Sequence, residues 1–339
     1  MPINGEIFDS KKSKNSKYKR TNHRVLVKDD FPPEVKPPNG RITSIIGKNY
    51  IVQDLSDSHA EIECTRAGTI KSLHKNATLL AVGDYVHYSL SENKEINLGK
   101  ITGIDERKTW LSRKPLIGIR DDIIASNADT LLIIMSSDFP PYNKRLIDRL
   151  IVAAKIGNLN PAICINKIDL FNDELIYEDL SVYSSLNYPL FFVSAQTGQG
   201  LSELRNYINK KELIFAGPSG VGKSSLINKL FGRNIQKIRE VSNKTTKGKH
   251  TTSYARILEL DTETRIIDTP GFREFGIVNI EKIELSLYFD DFKDYYEHCR
   301  FMPCSHTHEP DCAIKKAVSE NKIAPERYES YINIYTSME

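Results

Sequence analysis

The stretch Gly217-Pro218-Ser219-Gly220-Val221-Gly222-Lys223-Ser224-Ser225 decides how the rest of the chain is read. An apolar run, Leu213-Ile214-Phe215-Ala216, precedes it, and a helical pattern, Leu226-Ile227-Asn228-Lys229-Leu230, follows it. Strand, glycine-rich loop and helix in that order is the setting of a phosphate-binding P-loop. The glycines let the backbone curl so that successive N–H groups point inward at phosphate oxygens. The helix opening near Lys223 adds the positive end of its dipole. Lys223 is placed to reach the β- and γ-phosphates, and the Ser224 hydroxyl to take a position on Mg²⁺.

Working outward, the neighbouring segments alternate between strand and helix. Thr130-Leu131-Leu132-Ile133-Ile134-Met135 is a continuous apolar run, as expected of a strand buried on both faces. Residues 143–156 read as a helix with Leu146, Ile147, Leu150, Ile151 and Ala154 on one side. Strands follow at 161–165 and 190–193, then a helix at 201–208. Beyond the P-loop helix, strands are predicted at 253–260 and 264–267. Such alternation predicts a parallel α/β sheet.

Three further motifs fall at strand ends. Asn166-Lys167-Ile168-Asp169 closes the 161–165 strand. Beside a P-loop it reads guanine: the Asp169 carboxylate accepts from the N1–H and the exocyclic amine together, whereas adenine would leave that charge unpaired. Asn166 is expected to hydrogen-bond around the base and tie loops together, with the Lys167 stem along the ring. Ser194-Ala195-Gln196-Thr197-Gly198 follows the 190–193 strand, where N–H groups near Ala195 are expected to meet the guanine carbonyl. Asp268-Thr269-Pro270-Gly271 follows the last strand: Asp268 is placed to hold a Mg²⁺-bound water, and the Gly271 N–H to touch the γ-phosphate. Between P-loop and Asp268 lies Gly248-Lys249-His250-Thr251-Thr252, where a switch segment supplies a threonine to Mg²⁺; Thr251 and Thr252 both qualify. Many GTPases carry a water-orienting glutamine after Asp-x-x-Gly. Here that residue is Phe272, which cannot hydrogen-bond water, so His250 becomes the candidate for placing it, with Lys223 stabilising charge.

The order of these motifs is unusual. Most GTPases run from P-loop to switch threonine, Asp-x-x-Gly, Asn-Lys-x-Asp and Ser-Ala; here the base-reading motifs come first. The same sheet still forms if the old termini are joined, and residues 198–212 are long enough to join them. The new cut falls just after Gly271.

Outside this region, Cys299-x₄-Cys304-x-His306-x₅-Cys312 offers three thiolates and an imidazole, the donor set of one structural Zn²⁺. By spacing alone His308 and His298 rival His306. Residues 280–297 are acidic and aromatic, and helices are predicted at 313–321 and 325–335. Near the other end, short strands at 41–46, 50–53, 60–64, 85–89 and 98–104 suit a small barrel such as an OB-fold. Before them, Lys11, Lys12, Lys14, Lys17, Lys19, Arg20 and Arg24 stand without an acid among them, either a solvated tail or an arm for a phosphate backbone. Pro32, Pro33, Pro37 and Pro38 form a stiff linker.

Net charge is +3 over 339 residues, so binding to nucleic acid must rest on local patches. No apolar run reaches the length needed to cross a bilayer, and the first ten residues hold no apolar signal core. The chain reads as cytoplasmic, monomeric and without membrane partners. Cys64 and Cys164 lie inside apolar strand-like runs, where buried inert thiols are expected.

Together these motifs resemble the circularly permuted GTPases that mature the small ribosomal subunit, the RsgA (YjeQ) family. The resemblance covers nearly all of residues 41–335; the switch segment 248–252 and the cysteine segment 299–312 carry it most specifically. It implies a multidomain chain: a basic tail and linker at 1–38, an OB-fold RNA-binding barrel at 39–112, a permuted α/β P-loop GTPase domain at 113–276 and an α-helical zinc-binding domain at 277–339. It implies binding to 16S rRNA on the 30S subunit and hydrolysis of GTP to GDP and phosphate on docking. It favours His306 as the nitrogen ligand and supports His250 as the switch histidine.

Overall fold

The computed structural model describes residues 37–68, 70, 78–91, 98–113, 122–170, 175–232, 255–269, 276–277 and 280–338. The basic tail, the switch segment with His250, Thr251 and Thr252, and Pro270, Gly271 and Phe272 lie outside the described residues.

Five short strands come first: β1 (Gly40–Ile46), β2 (Asn49–Asp54), β3 (Glu61–Arg66), β4 (Tyr85–Leu90) and β5 (Leu98–Ile104). They pair in the order β1-β2-β3-β5-β4, and β4 returns to β1, so the pairing closes a ring. Buried and exposed residues alternate along β3 and β5, as one-sided burial requires. The inward set, including Ile42, Val52, Ile62, Cys64, Val86 and Ile101, forms its own core. Burial pushes the Cys64 thiol up to about 11, as befits an inert interior cysteine. The chain then forms a hairpin, β6 (Trp110–Arg113) with β7 (Asp122–Ser126), which the periodicity of the sequence does not reveal.

The central layer contains β8 (Thr130–Ser136), α1 (Lys144–Ile156), β9 (Asn160–Asn166), α2 (Leu175–Asp179), α3 (Ser181–Ser185), β10 (Leu190–Phe192), α4 (Leu201–Ile208), β11 (Glu212–Ala216), α5 (Lys223–Phe231), β12 (Arg256–Glu259) and β13 (Arg265–Asp268). Its order is β10-β9-β8-β11-β13-β12. The first five strands are parallel, as the alternation predicts. β12 differs: it runs antiparallel to β13, because the link between them is too short for a crossover. Every residue of β8 is buried, and it divides two cores. Leu131, Ile133 and Met135 pack toward α1, while Leu132 and Ile134 pack with Leu204, Leu226 and Leu230 from α4 and α5.

Two charge clusters tie the ring to its neighbours, the central layer and the β6–β7 hairpin. Arg41 on β1 donates in bidentate fashion to Glu212 at the start of β11, and Arg265 on β13 donates to the same carboxylate at 2.8 Å. Arg107 makes two 2.7 Å bonds to the buried Asp84 carboxylate, which also accepts from the Ser126 hydroxyl on β7. β12 also pairs with β1 through Ser44 and Arg256, so the sheet continues into the ring.

The acidic, aromatic segment folds as three 3₁₀ turns, Lys282–Tyr288, Asp290–Phe292 and Tyr296–His298, followed by α6 (Ala313–Ser319) and α7 (Pro325–Ser337). Phe289, Phe292 and Tyr331 pack in its interior in tilted and edge-to-face contacts. This module packs on α1 through α7 and the first turn. Arg327 on α7 is the pivot: it binds the buried Asp148 of α1 and both oxygens of Asp291, at 3.1 and 2.9 Å. No helix among the described residues is long and apolar enough to cross a membrane.

Candidate functional site

The polar motifs gather at the carboxyl ends of the parallel strands. β8 ends at Ser136, β9 at Asn166, β11 leads to Gly217 and β13 ends at Asp268. A crevice at those ends is where open α/β sheets take ligands.

The P-loop has the backbone its glycines allow. Gly217, Gly220 and Gly222 take φ of +156°, +88° and +90°. At Gly222 the glycine is also required by space: a Cβ would fall 2.4 Å from Asn166 Nδ2. Asn166 Nδ2 donates to the Val221 carbonyl at 2.9 Å, and its Oδ1 accepts from the Ala195 N–H at 3.0 Å. One buried amide thus ties P-loop, Asn-Lys-x-Asp and Ser-Ala loop together. Asp169 accepts a short hydrogen bond from the Ser194 hydroxyl, which also accepts from the Thr197 N–H. The Ala195 N–H is therefore engaged by Asn166, not simply aimed at a base.

Lys223 opens α5 and is buried. Its ammonium donates to the Gly217 and Pro218 carbonyls at 2.6 and 2.9 Å. Burial pulls its pKa down to about 8, against the opposing pull of Asp268. Ser224 follows in the first turn, half-buried, and Asp268 ends the strand beside β11, level with Phe215. The next residue, Thr269, caps the Phe215 carbonyl at 2.6 Å. A hydroxyl and a carboxylate that flank the lysine are hard oxygen donors of the kind Mg²⁺ takes.

The sequence reading missed the loop between β8 and α1. Its Ser137 hydroxyl donates to the Lys167 carbonyl at 2.6 Å, and the Lys167 ammonium donates to the Phe139 carbonyl at 2.5 Å. The position of this loop just past a fully buried parallel strand was the available clue.

A second centre lies in the C-terminal module. The ligand atoms of Cys299, Cys304, His306 and Cys312 all lie within 4.8 Å of one another, and all four residues are buried. Cys299 and Cys312 Sγ are 3.8 Å apart, and His306 Nδ1 lies 3.5 and 3.4 Å from them. A tetrahedron with Zn–S bonds of ~2.3 Å and a Zn–N bond of ~2.0 Å has edges of ~3.8 and ~3.5 Å, which the distances among Cys299, His306 and Cys312 match; with Cys304 beside them the cluster could hold one zinc ion. The Ala313 N–H points at Cys299 Sγ from 3.4 Å, as a thiolate ligand favours. His306 has φ +56°, whereas His308 is exposed and hydrogen-bonds Thr307. Of the three rivals left by spacing, His306 is the one inside the cluster. All five cysteines are free thiols.

The family profile described as RsgA GTPase matches residues 104–278. The small ribosomal subunit biogenesis GTPase RsgA of Chlorobaculum tepidum is 39% identical over 307 residues, covering 88% of this chain and 98% of its own. The protein of the same name from Caldanaerobacter subterraneus is 39% identical over 296 residues, covering 87% and 94%. The crystal structure of YjeQ from Thermotoga maritima superposes with a TM-score of 0.67 at 30% identity over 89% of this chain and 98% of that one. YloQ, a circularly permuted GTPase, gives 0.63 at 27% identity, covering 89% and 94%. The permuted motif order, the phosphate crevice and these likenesses lead to one conclusion: the chain has the circularly permuted GTPase fold and belongs to the RsgA GTPase family of GTP-hydrolysing enzymes.

Proposed function

We propose that this chain is a ribosome-dependent GTPase of late small-subunit maturation, which binds the 30S particle through 16S rRNA and hydrolyses GTP to GDP and phosphate on docking. The observation that carries the reading is the Asn166 amide, which brackets the P-loop and the Ser-Ala loop at once. It brings base-reading and phosphate-holding residues into one crevice, and the relatives named above are small-subunit biogenesis GTPases.

In this reading Asp169 selects guanine, with Ser194 holding one of its oxygens. The loop from Gly217 through Pro218, Ser219, Gly220, Val221 and Gly222 to Ser225 cradles the phosphates with backbone N–H groups. Lys223 exchanges its two carbonyl partners for phosphate oxygens and offsets charge as it moves to the leaving side. Ser224, Asp268 and either Thr251 or Thr252 would hold Mg²⁺, which supplies charge neutralisation at the β- and γ-oxygens when bound. Gly271 and His250 complete the site, His250 placing the attacking water in the position that Phe272 cannot serve. The zinc site is read as structural, since four protein donors would leave the ion no open position.

The strand ring, residues 39–112, is proposed as an OB-type RNA-binding barrel, 113–276 as the GTPase domain and 277–339 as the zinc-binding domain. Residues 1–38 are proposed as a basic tail and linker. The protein works as a cytoplasmic monomer.

Single-turnover GTP hydrolysis with and without 30S subunits tests this. We expect strong stimulation of the full chain by 30S subunits, most of it lost in His250→Ala while nucleotide affinity holds. Equal rates with and without subunits would overturn the reading and leave a nucleotide-gated RNA-binding module.

A further inference from the structure

Past β8 the chain turns through Ser136-Ser137-Asp138-Phe139-Pro140-Pro141 before entering α1. This turn is laced to the nucleotide crevice from both sides. The Ser137 N–H donates to the Asn166 carbonyl at 2.9 Å and its hydroxyl to the Lys167 carbonyl at 2.6 Å. The Lys167 ammonium donates back to the Phe139 carbonyl at 2.5 Å. The Ser136 hydroxyl donates to the Pro140 carbonyl at 2.6 Å. Pro140 in turn borders the P-loop: a Cβ at Gly220 would lie 3.4 Å from Pro140 Cδ.

Phe139 stands in the middle of this lacing with its side chain 75% exposed. Its φ is +48°, a region that costs a bulky residue conformational energy. A single exposed aromatic is unremarkable in itself. Here, however, hydrogen bonds to its carbonyl and its neighbours hold the backbone in an unfavourable conformation at the lip of a phosphate crevice.

Lys167 fixes where a nucleotide lies relative to this residue. Its stem runs from the Asn-Lys-x-Asp segment past Gly222, where a Cβ would lie 3.8 Å from Lys167 Cε, to the Phe139 carbonyl. A purine resting on that stem has its sugar on the P-loop side, because its phosphates sit in the P-loop. Pro140 borders that same side, beside Gly220, and Phe139 immediately precedes it.

We propose that Phe139 is a nucleotide-contact residue: its ring takes the sugar–base edge of the bound guanine nucleotide, while its carbonyl holds Lys167 flat as the floor beneath the base. The inference rests on reading this crevice as the guanine-nucleotide site. The contact lies away from the γ-phosphate, so it acts on GDP and GTP alike.

The test is equilibrium binding of GDP and of a non-hydrolysable GTP analogue to the full chain, with Phe139→Ala and Phe139→Tyr beside the wild type. Loss of an aromatic stacking partner is expected to weaken both nucleotides about tenfold in Phe139→Ala, with faster GDP release, while Phe139→Tyr stays within about twofold. Because the ring is exposed, the thermal midpoint of nucleotide-free Phe139→Ala should match wild type, and only the rise produced by GDP should shrink. Wild-type affinity in Phe139→Ala, in a protein that prefers guanine to adenine nucleotides, overturns the proposal alone. Failure of the wild type to prefer guanine removes the reading beneath it.

Discussion

Replacing Arg327 with methionine probes how the zinc-binding module is held to the GTPase layer. Arg327 and Asp148 are each 1% exposed, and Asp291 closes the other side of the guanidinium. Methionine has similar reach but no charge, so it strands two carboxylates in the interior. Breaking a buried pair from one side costs about 3–5 kcal/mol, a large part of a typical domain's ~5–15. The sign of the pH dependence follows from Asp148. Burial already raises its pKa with Arg327 in place, although Arg327 and Tyr183 pull the other way. Without the arginine the folded-state pKa rises further, while the unfolded value stays near ~3.9. Above about pH 4 the unfolded chain releases this proton and the folded chain keeps it. Stability therefore falls by about 1.4 kcal/mol per pH unit until the folded pKa is passed. The variant should be least impaired near pH 5 and most impaired near pH 8. Urea unfolding followed through Trp110 reads this out, since the chain has one tryptophan and its backbone N–H donates to the carbonyl of Gly157 at the end of α1. Adding Asp148→Asn to Arg327→Met should recover a good part of the loss at the higher pH. A loss below about 1 kcal/mol, equal at both pH values, would refute the argument that this network is a buried ion cluster under strong desolvation.

Two further outcomes follow from named groups. Burial holds the Lys223 pKa at about 8 in the free protein, and phosphate binding must raise it. Binding then takes up a proton above that pKa, so GTP affinity should be flat below about pH 7.5 and fall up to tenfold per unit above about 8. Titration calorimetry in buffers of different ionisation heat checks the proton, and Lys223→Arg, whose charge persists, should lack it; a flat profile in the wild type would remove the argument. For the metal centre, one Zn²⁺ per chain should copurify, be lost in Cys304→Ala and His306→Ala, and remain in His308→Ala, with chelation unfolding the C-terminal module first. Zinc kept by His306→Ala and lost by His308→Ala in elemental analysis would reassign the nitrogen ligand.

How much of this was legible depended on whether a local rule sufficed. The β11, P-loop and α5 unit could be read residue by residue, because a glycine-rich turn, a buried strand and a helix start each leave a local mark. The hairpin β6 and β7 left none: its residues carry no clean alternation, and its partners are Val82 and Gly157, far apart in sequence. The antiparallel setting of β12 came from a short link rather than from the strand's own residues. The choice among His298, His306 and His308 was open by spacing, since it is decided by which imidazole the fold buries beside the thiols, and that is His306.

The least legible feature was where the C-terminal module returns. The motif order shows that the chain leaves the GTPase motifs just after Gly271 and runs directly into the C-terminal module. Nothing local marks Asp148, one acid on an otherwise apolar helix face, as the partner of Arg327, 179 residues later. Yet that pairing fixes the mechanical layout. The module is tied covalently to the strand that carries Asp268, and by buried charge to α1, which follows the loop holding Lys167. In the proposed nucleotide reading, its two attachments therefore lie behind the phosphate side and the base side of the same crevice. Lys155 with Asp290 and Lys144 with Glu326 pair across the same contact, so Arg327→Met weakens this second attachment without removing it.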